Sequence, residues 1–144
     1  VDKGYALFGE SFVPIKEFMP FDDYMSLISS CSNVIMNHKR QQAGGNITSS
    51  LYMGARVFLD KNNLFYEEYR KHGIIINCID ELETSPWLLN TPLTDEERKI
   101  NKKVLSEIRG WDGIIRKTKN LIAKCCDQSS GKNENIPATI QRLD

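Results

Sequence analysis

The sequence lacks any long uninterrupted apolar run. Hydrophobic residues make up 40% of its 144 residues and charged residues 26%, which are ordinary proportions for a globular domain. A membrane-spanning helix requires about 18 or more consecutive apolar residues, and no segment approaches that length. We therefore expect a single globular domain and no integral membrane protein.

The sequence also lacks net charge, since lysine plus arginine and aspartate plus glutamate number 19 each. A protein that binds nucleic acid through its phosphates usually carries an excess of basic residues. The balance predicts no nucleic-acid partner.

Cysteine is scarce and shows no C-x-x-C spacing. The four cysteines are Cys31, Cys78, Cys125 and Cys126. This number is too small for a secreted disulfide scaffold, so a reducing, cytoplasmic compartment is expected. The chain begins at Val1 with no basic segment followed by an apolar one, and we interpret it as a piece of a longer protein.

Short apolar runs alternate with amphipathic stretches, a pattern typical of βα units on a mostly parallel sheet. Strands are predicted at residues 5–8, 13–15, 33–37, 56–60 and 74–79. The run at 33–37 is continuously apolar between its asparagines, which predicts a strand buried on both faces. The predicted fold is α/β, with a Rossmann-like sheet flanked by helices over residues 1–126.

Helices are predicted between these strands. The first follows Pro20 with Asp22 as its cap, the second carries Ile47, Leu51 and Ala55 on one face, and the third spans 64–72 and ends at Gly73.

A long helical region opens with a capping box at Thr94–Glu97 and has a kink or break at Gly110 and Gly113. Its apolar stripe is expected to lie against the sheet. That stripe consists of Ile100, Val104, Leu105, Ile108, Trp111, Ile115, Leu121 and Ile122. The polar residues 127–144 are expected to form a flexible tail.

Ligands of open parallel sheets bind beyond the carboxyl ends of the strands. Here that position belongs to the loops 37–46 and 60–63. The first loop enters a helix through Gly44 and Gly45, whose backbone N–H groups suit a phosphate, and Lys39 and Arg40 add positive charge. A simple turn with solvated basic residues explains the same pattern, and His38 is more typical of a hydrogen-bonded structural residue than of a base.

The stretch 34–63, VIMNHKRQQAGGNITSSLYMGARVFLDKNN, resembles the donor-binding segment of the 4-alpha-L-fucosyltransferase family, glycosyltransferase family 56. Its most specific element is the triplet Arg40-Gln41-Gln42 before a glycine and a helix. The resemblance extends from about Phe8 to the helix beginning at Thr94.

This resemblance implies the C-terminal half of a two-domain GT-B glycosyltransferase. Its donor would be a nucleotide-diphosphate sugar, thymidine diphosphate-4-acetamido-4,6-dideoxygalactose, and its acceptor a polyprenyl-linked saccharide of surface polysaccharide synthesis, such as enterobacterial common antigen. An N-terminal domain of the same protein would complete the site. The residues implied to bind the donor are Asn37, His38, Arg40, Gln41, Gln42, Gly44, Gly45 and Asn46.

The resemblance further implies inverting transfer with a general base. The residues leave that base unassigned: His38 and Glu10 are the candidates within the chain, and a surface turn explains Glu10 as well. No aspartate pair with D-x-D spacing lies in the two loops, so neither a metal nor a cofactor is expected.

A lipid-linked acceptor implies work at the inner face of the inner membrane. The helix 116–124 carries Arg116, Lys117, Lys119 and Lys124 opposite Ile115, Leu121 and Ile122, which suits peripheral contact with anionic lipid. An apolar face packed on the sheet with lysines in water is the stronger explanation of this pattern.

Two other functions fit the sequence. One is a stand-alone α/β module that binds a nucleotide or phosphosugar without chemistry. The other is a receiver-like interaction domain, which is disfavoured because residues 37–40 place asparagine, histidine, lysine and arginine where an acidic cluster is required.

Overall fold

The computed structural model describes residues 1–40 and 42–130, the last four by their backbone alone. Three strands, β1 (Asn33–Met36), β2 (Arg56–Leu59) and β3 (Asn77–Cys78), form a parallel sheet in the order β1-β2-β3. The helices are α1 (Asp2–Phe8), α2 (Phe21–Ser30), α3 (Gly44–Met53), α4 (Leu64–Lys71), α5 (Glu81–Thr84), α6 (Asp95–Arg109) and α7 (Trp111–Ser130). Short 3-10 turns occupy Gly9–Ser11 and Pro86–Asn90. The mixed α/β class with a small parallel sheet flanked by helices is confirmed.

The core forms around β2, which is buried along its whole length. Ile47 and Leu51 of α3, Phe65 and Tyr69 of α4 and Leu105 of α6 pack in the same cluster as this strand. The helical spacing of Ile47 and Leu51 therefore identified a face that does pack inward.

The strand β1 is an edge strand, contrary to the prediction that it is buried on both faces. It pairs with β2 alone, and Ile35 is 52% exposed. An apolar run cannot by itself distinguish a central strand from an edge strand, because the difference depends on which other strands lie beside it.

The strand predicted at 74–79 shortens to two residues, which pair with Phe58 and Leu59 of β2. The buried side chain of Asn101 in α6 explains the loss. Its Oδ1 accepts from the backbone N–H of Ile75 at 2.7 Å, and its Nδ2 donates to the carbonyl oxygen of Ile75 at 2.9 Å. The backbone of Ile75 thus bonds to a helix side chain where strand pairing was expected.

The two N-terminal strand predictions are wrong. Residues 5–8 belong to α1, and 13–15 lie in an irregular segment. Alanine and leucine favour helix, and a four-residue apolar run is ambiguous between the two structures. Asp22 likewise does not cap α2: Pro20 occupies the N-cap position without a side-chain hydrogen bond.

The predictions for the later helices are confirmed at three points. Thr94 and Glu97 form the reciprocal capping box of α6. Gly73 follows α4 with a φ of 82°, and the chain breaks between α6 and α7 at Gly110, although Gly113 lies inside α7.

The predicted apolar stripe packs inward only in part. Leu105 and Ile108 of α6 are buried, whereas Ile100 of α6 and Trp111, Leu121 and Ile122 of α7 are exposed. After the break at Gly110, Ile115 is the one residue of the predicted stripe in α7 that is half-buried. No helix in residues 1–40 and 42–130 is long and apolar enough to span a membrane. Residues 127–130 of the predicted tail belong to α7, and the rest of it, 131–144, lies outside the described residues.

Replacing Asn101 with alanine is expected to lower the free energy of unfolding by about 2–4 kcal/mol, because both backbone groups of Ile75 lose their partner. Urea denaturation measures the change. Exposed Asn120 on α7 is the matched control, and its alanine variant is expected to stay within about 0.5 kcal/mol of the wild type. Equal stability of the two variants would contradict this role for Asn101.

Candidate functional site

Two loops meet at the carboxyl edge of the sheet, where the strand order predicts a ligand. One follows β1 and leads into α3, and the other follows β2 and leads into α4. Both loops were identified from the sequence, and the structure links them by direct hydrogen bonds.

The link is Asn63, whose side chain is fully buried. Its Oδ1 accepts from the N–H of Phe65 at 3.0 Å and so caps α4. Its Nδ2 donates to the carbonyl oxygen of His38 at 2.8 Å and lies 3.5 Å from that of Arg40. One side chain thus fixes the start of α4 and the backbone of the loop after β1.

The loop after β1 is also braced internally. The N–H of Gln42 donates to the carbonyl oxygen of Arg40 at 2.8 Å. The Nε2 atom of His38 lies 2.9 Å from the carbonyl oxygen of Gln42, which can only accept, so Nε2 carries the proton. This bond supports the structural interpretation of His38.

The first turn of α3 begins without a side-chain cap. Ala43 stands at the N-cap position with φ 53° and ψ 29°, and no side-chain hydrogen bond caps it among the described residues. Unpaired N–H groups at a helix start carry partial positive charge and suit an anion. The helix therefore begins as the sequence predicted, with Gly44 and Gly45 in its first turn.

The two glycines have different roles. A Cβ atom on Gly44 would lie 2.6 Å from the ring of Phe65, so glycine is required there for packing against α4. A Cβ atom on Gly45 would meet nothing within 4 Å. Gly45 therefore presents its backbone to open space, and Gly44 sets how closely α3 approaches Phe65.

A surface cleft of about 410 Å³ opens at this helix start. Its described lining residues are Gly44, Gly45, Thr48, Ser49, Phe65 and Arg109. Arg109, the last residue of α6, lies over the rings of Phe65 and Tyr69 at 5.8 and 5.6 Å, and its Nη2 is 3.5 Å from Oε1 of Glu68. The cleft thus combines a helix N-terminus with a guanidinium held on aromatic rings.

Arg109 is not among the residues predicted from the sequence. It lies on a helix far along the chain, and no local motif marks it. The only available signal was its position beside Ile108, an apolar residue expected to pack on the sheet.

The second loop contributes charge of both signs. Asp60 accepts from the backbone N–H and the side chain of Asn62, and these bonds together with the nearby Lys39 and Lys61 lower its pKa. Asp60 is therefore ionised at neutral pH. Lys61 pairs with Asp80 at 2.8 Å, a closer ion pair than the 3.5 Å contact between Arg109 and Glu68.

The predicted donor-binding residues separate into two groups. Gly44 and Gly45 line the cleft, whereas Asn37, His38, Arg40 and Gln42 belong to the braced loop beside it, with Arg40 exposed. Asn46 lies half-buried in the first turn of α3. Gln41 falls outside the described residues.

Neither candidate for the general base, His38 or Glu10, is among the described residues that line the cleft. Glu10 is exposed in the turn Gly9–Ser11, in a segment that has helix where strand was expected. Among the described residues that line the cleft, none has a carboxylate or an imidazole.

Across the described side chains of residues 1–40 and 42–126, no three histidine, cysteine or acidic side chains are grouped as a metal site.

Comparison with known proteins gives no relative for this chain. No protein-family model, no curated protein and no solved structure matches it.

Replacing Asn63 with alanine is expected to destabilise the fold by about 2–3 kcal/mol, since the cap of α4 and the bond to the loop after β1 are both lost. Thermal and urea unfolding measure the effect. The neighbouring exposed Asn62 is the control, because its hydrogen bonds are confined to Asp60. A smaller loss for Asn63→Ala than for Asn62→Ala would contradict the assignment.

The glycine pair gives a second test. Gly44→Ala forces a methyl group against Phe65 and is expected to lower the unfolding free energy by about 1–3 kcal/mol. Gly45→Ala meets open space and is expected to be neutral or up to about 1 kcal/mol stabilising, as alanine favours helix. Loss of stability at Gly45 but not at Gly44 would reverse the assigned roles.

Proposed function

We propose that this chain is the donor-binding part of an inverting, metal-independent glycosyltransferase of the GT-B kind, related to the 4-alpha-L-fucosyltransferase family. Its donor is a nucleotide-diphosphate sugar, thymidine diphosphate-4-acetamido-4,6-dideoxygalactose by resemblance. Its acceptor is a polyprenyl-linked saccharide.

The observation that carries the proposal is the cleft at the start of α3. Open backbone at Gly45, an uncapped first turn and the guanidinium of Arg109 converge there. A diphosphate matches this combination, because its oxygens accept from N–H groups and its charge pairs with arginine. The resemblance of 34–63 to a donor-binding segment supports the same position independently.

Each group has a defined task in this proposal. The N–H groups of α3 and Arg109 hold the diphosphate and stabilise the charge that grows on it as the sugar leaves. Arg40 and Gln42, on the loop fixed by Asn63, contact the sugar or the nucleoside. Thr48 is already bonded to Gly44 and Tyr69, so it supports the helix start.

Transfer also requires a group that deprotonates the acceptor hydroxyl. Since no described lining residue of the cleft has an acidic or imidazole side chain, we assign that role to the second domain of the GT-B architecture. In this proposal the chain alone binds donor without completing transfer.

The same feature favours one alternative, a stand-alone α/β module that binds a nucleotide or phosphosugar. Such a module needs the anion site without a base, and the described lining residues fit that description. Donor turnover by the chain joined to a second domain distinguishes the two, since a pure binding module leaves the sugar uncleaved.

We predict that thymidine diphosphate binds the chain saturably in isothermal titration calorimetry with chelator present, and more tightly than uridine diphosphate. Arg109→Met keeps the packing on Phe65 and Tyr69 but removes the charge. It is expected to weaken binding by about 1.5–3 kcal/mol, as is Arg40→Ala, with little change in melting temperature.

The matched control is Arg116→Met, which removes an exposed charge on α7 outside the cleft. It is expected to leave the dissociation constant unchanged. An unchanged dissociation constant in the Arg109→Met variant would exclude Arg109 from the site. Absence of binding by the folded wild type would contradict a preformed donor site in this chain.

A further inference from the structure

The helix α7 joins the body of the protein at its first turns. Gly113 is buried, and a side chain there would meet the backbone of Glu107 and Ile108. Lys117 Nζ donates to the carbonyl oxygen of Ile108 at 3.3 Å. Every residue of α7 from 116 to 126 is nevertheless exposed, so the helix extends beyond the elements that anchor it.

The exposed part of α7 is amphipathic. At about 100° per residue, its four exposed large apolar side chains fall in an arc of about 100°. The arc contains Trp111, Ile114, Leu121 and Ile122, of which Trp111 is 76%, Leu121 63% and Ile122 57% exposed. Since no element among the described residues covers these side chains, the arc is an unpartnered apolar face.

Positive charge is concentrated outside this arc. The residues of α7, 111–130, include four basic residues, Arg116, Lys117, Lys119 and Lys124, and two acidic residues, Asp112 and Asp127, for a net charge of +2. The remaining residues of the chain therefore carry 15 basic against 17 acidic side chains, a net charge of −2. The zero net charge of the chain is therefore the sum of a basic helix α7 and an acidic remainder.

We propose that α7 docks on the surface of an anionic lipid membrane, with its apolar arc among the acyl chains nearest the headgroups and its basic residues on the lipid phosphates. A helix with a Trp-, Leu- and Ile-bearing face and a lysine-rich face is typical of interfacial binding. The described 16 side-chain-bearing residues span about 24 Å, which lie in the membrane plane. The inference is independent of the sugar-transfer proposal.

The charge distribution favours lipid over a second copy of this helix. Pairing two α7 helices would bring two net charges of +2 together, whereas an anionic surface attracts each of them. Lys119 lies about 60° beyond the edge of the apolar arc, where its aliphatic stem can remain against apolar groups while the ammonium reaches phosphate.

The test uses vesicles of phosphatidylcholine with and without phosphatidylglycerol, with binding measured by co-sedimentation. The chain is expected to bind the anionic vesicles, to bind pure phosphatidylcholine at least about tenfold more weakly, and to be released by added salt. In a Trp87→Phe background Trp111 is the only tryptophan, and its emission is expected to shift to shorter wavelength on binding.

Two variants separate the contributions. Leu121→Asn combined with Ile122→Asn is expected to abolish the emission shift and sedimentation, and Lys119→Gln combined with Lys124→Gln to weaken binding at least about tenfold. Because these positions are exposed, the variants are expected to keep the wild-type melting temperature. The controls are Leu64→Asn, an equally exposed leucine on α4, and Lys99→Gln combined with Lys103→Gln on α6.

Absence of anionic-vesicle binding by the folded wild type would overturn the proposal. So would equal loss in the α4 or α6 controls, because binding would then not reside in α7. Sedimentation velocity tests whether a second copy covers the apolar face. If the wild type binds no vesicles but forms a dimer, and Leu121→Asn combined with Ile122→Asn dissociates that dimer, the occupant is a second copy and the lipid proposal is overturned.

Discussion

The buried amide of Asn63 is the interaction on which the carboxyl edge of the sheet depends. It caps α4 through its oxygen and holds the backbone at His38 through its nitrogen. Without it, the loop after β1 would have one fewer anchor to the body, and two buried backbone groups would lose their partners. A single side chain thus couples the position of the loop to the position of Phe65, on which Gly44 and Arg109 both pack.

The cleft follows from that coupling. Because Gly44 has no side chain, the start of α3 approaches Phe65 closely, and Arg109 reaches the same ring from the end of α6. Three helices from distant parts of the sequence thereby form one small anion-suited surface. Asp60 adds a fixed negative charge on the neighbouring loop, which favours a ligand oriented with its anionic part toward α3.

The sequence was most informative where periodicity and turn chemistry agreed. The units 33–59 and 64–73 were predicted because an apolar strand, a polar loop and a helical repeat follow one another, and Gly73 and the Thr94 capping box mark helix ends directly. The capping role of Asn63 could also have been predicted, since asparagine immediately before a helical segment is a preferred N-cap.

Contacts between residues far apart in the chain could not be predicted from the sequence pattern. The strand at 74–79 was lost because Asn101 takes the backbone groups of Ile75, and nothing around residue 75 signals a partner 26 positions away. Arg109 enters the cleft because the end of α6 lies beside Phe65 and Tyr69 of α4, which local spacing does not encode. The break before α7 at Gly110 was predictable from the sequence. The exposure of the helix that follows the break was not.

The central claim is that the uncapped start of α3 binds a diphosphate, and amide NMR spectroscopy tests it most directly. With thymidine diphosphate, the account predicts the largest chemical-shift changes at the N–H groups of Gly44, Gly45 and Asn46 and at the side chain of Arg109. Thymidine, which lacks the diphosphate, is expected to leave those signals in place. Saturable binding with shifts elsewhere and none at Gly45 or Asn46 would contradict the account.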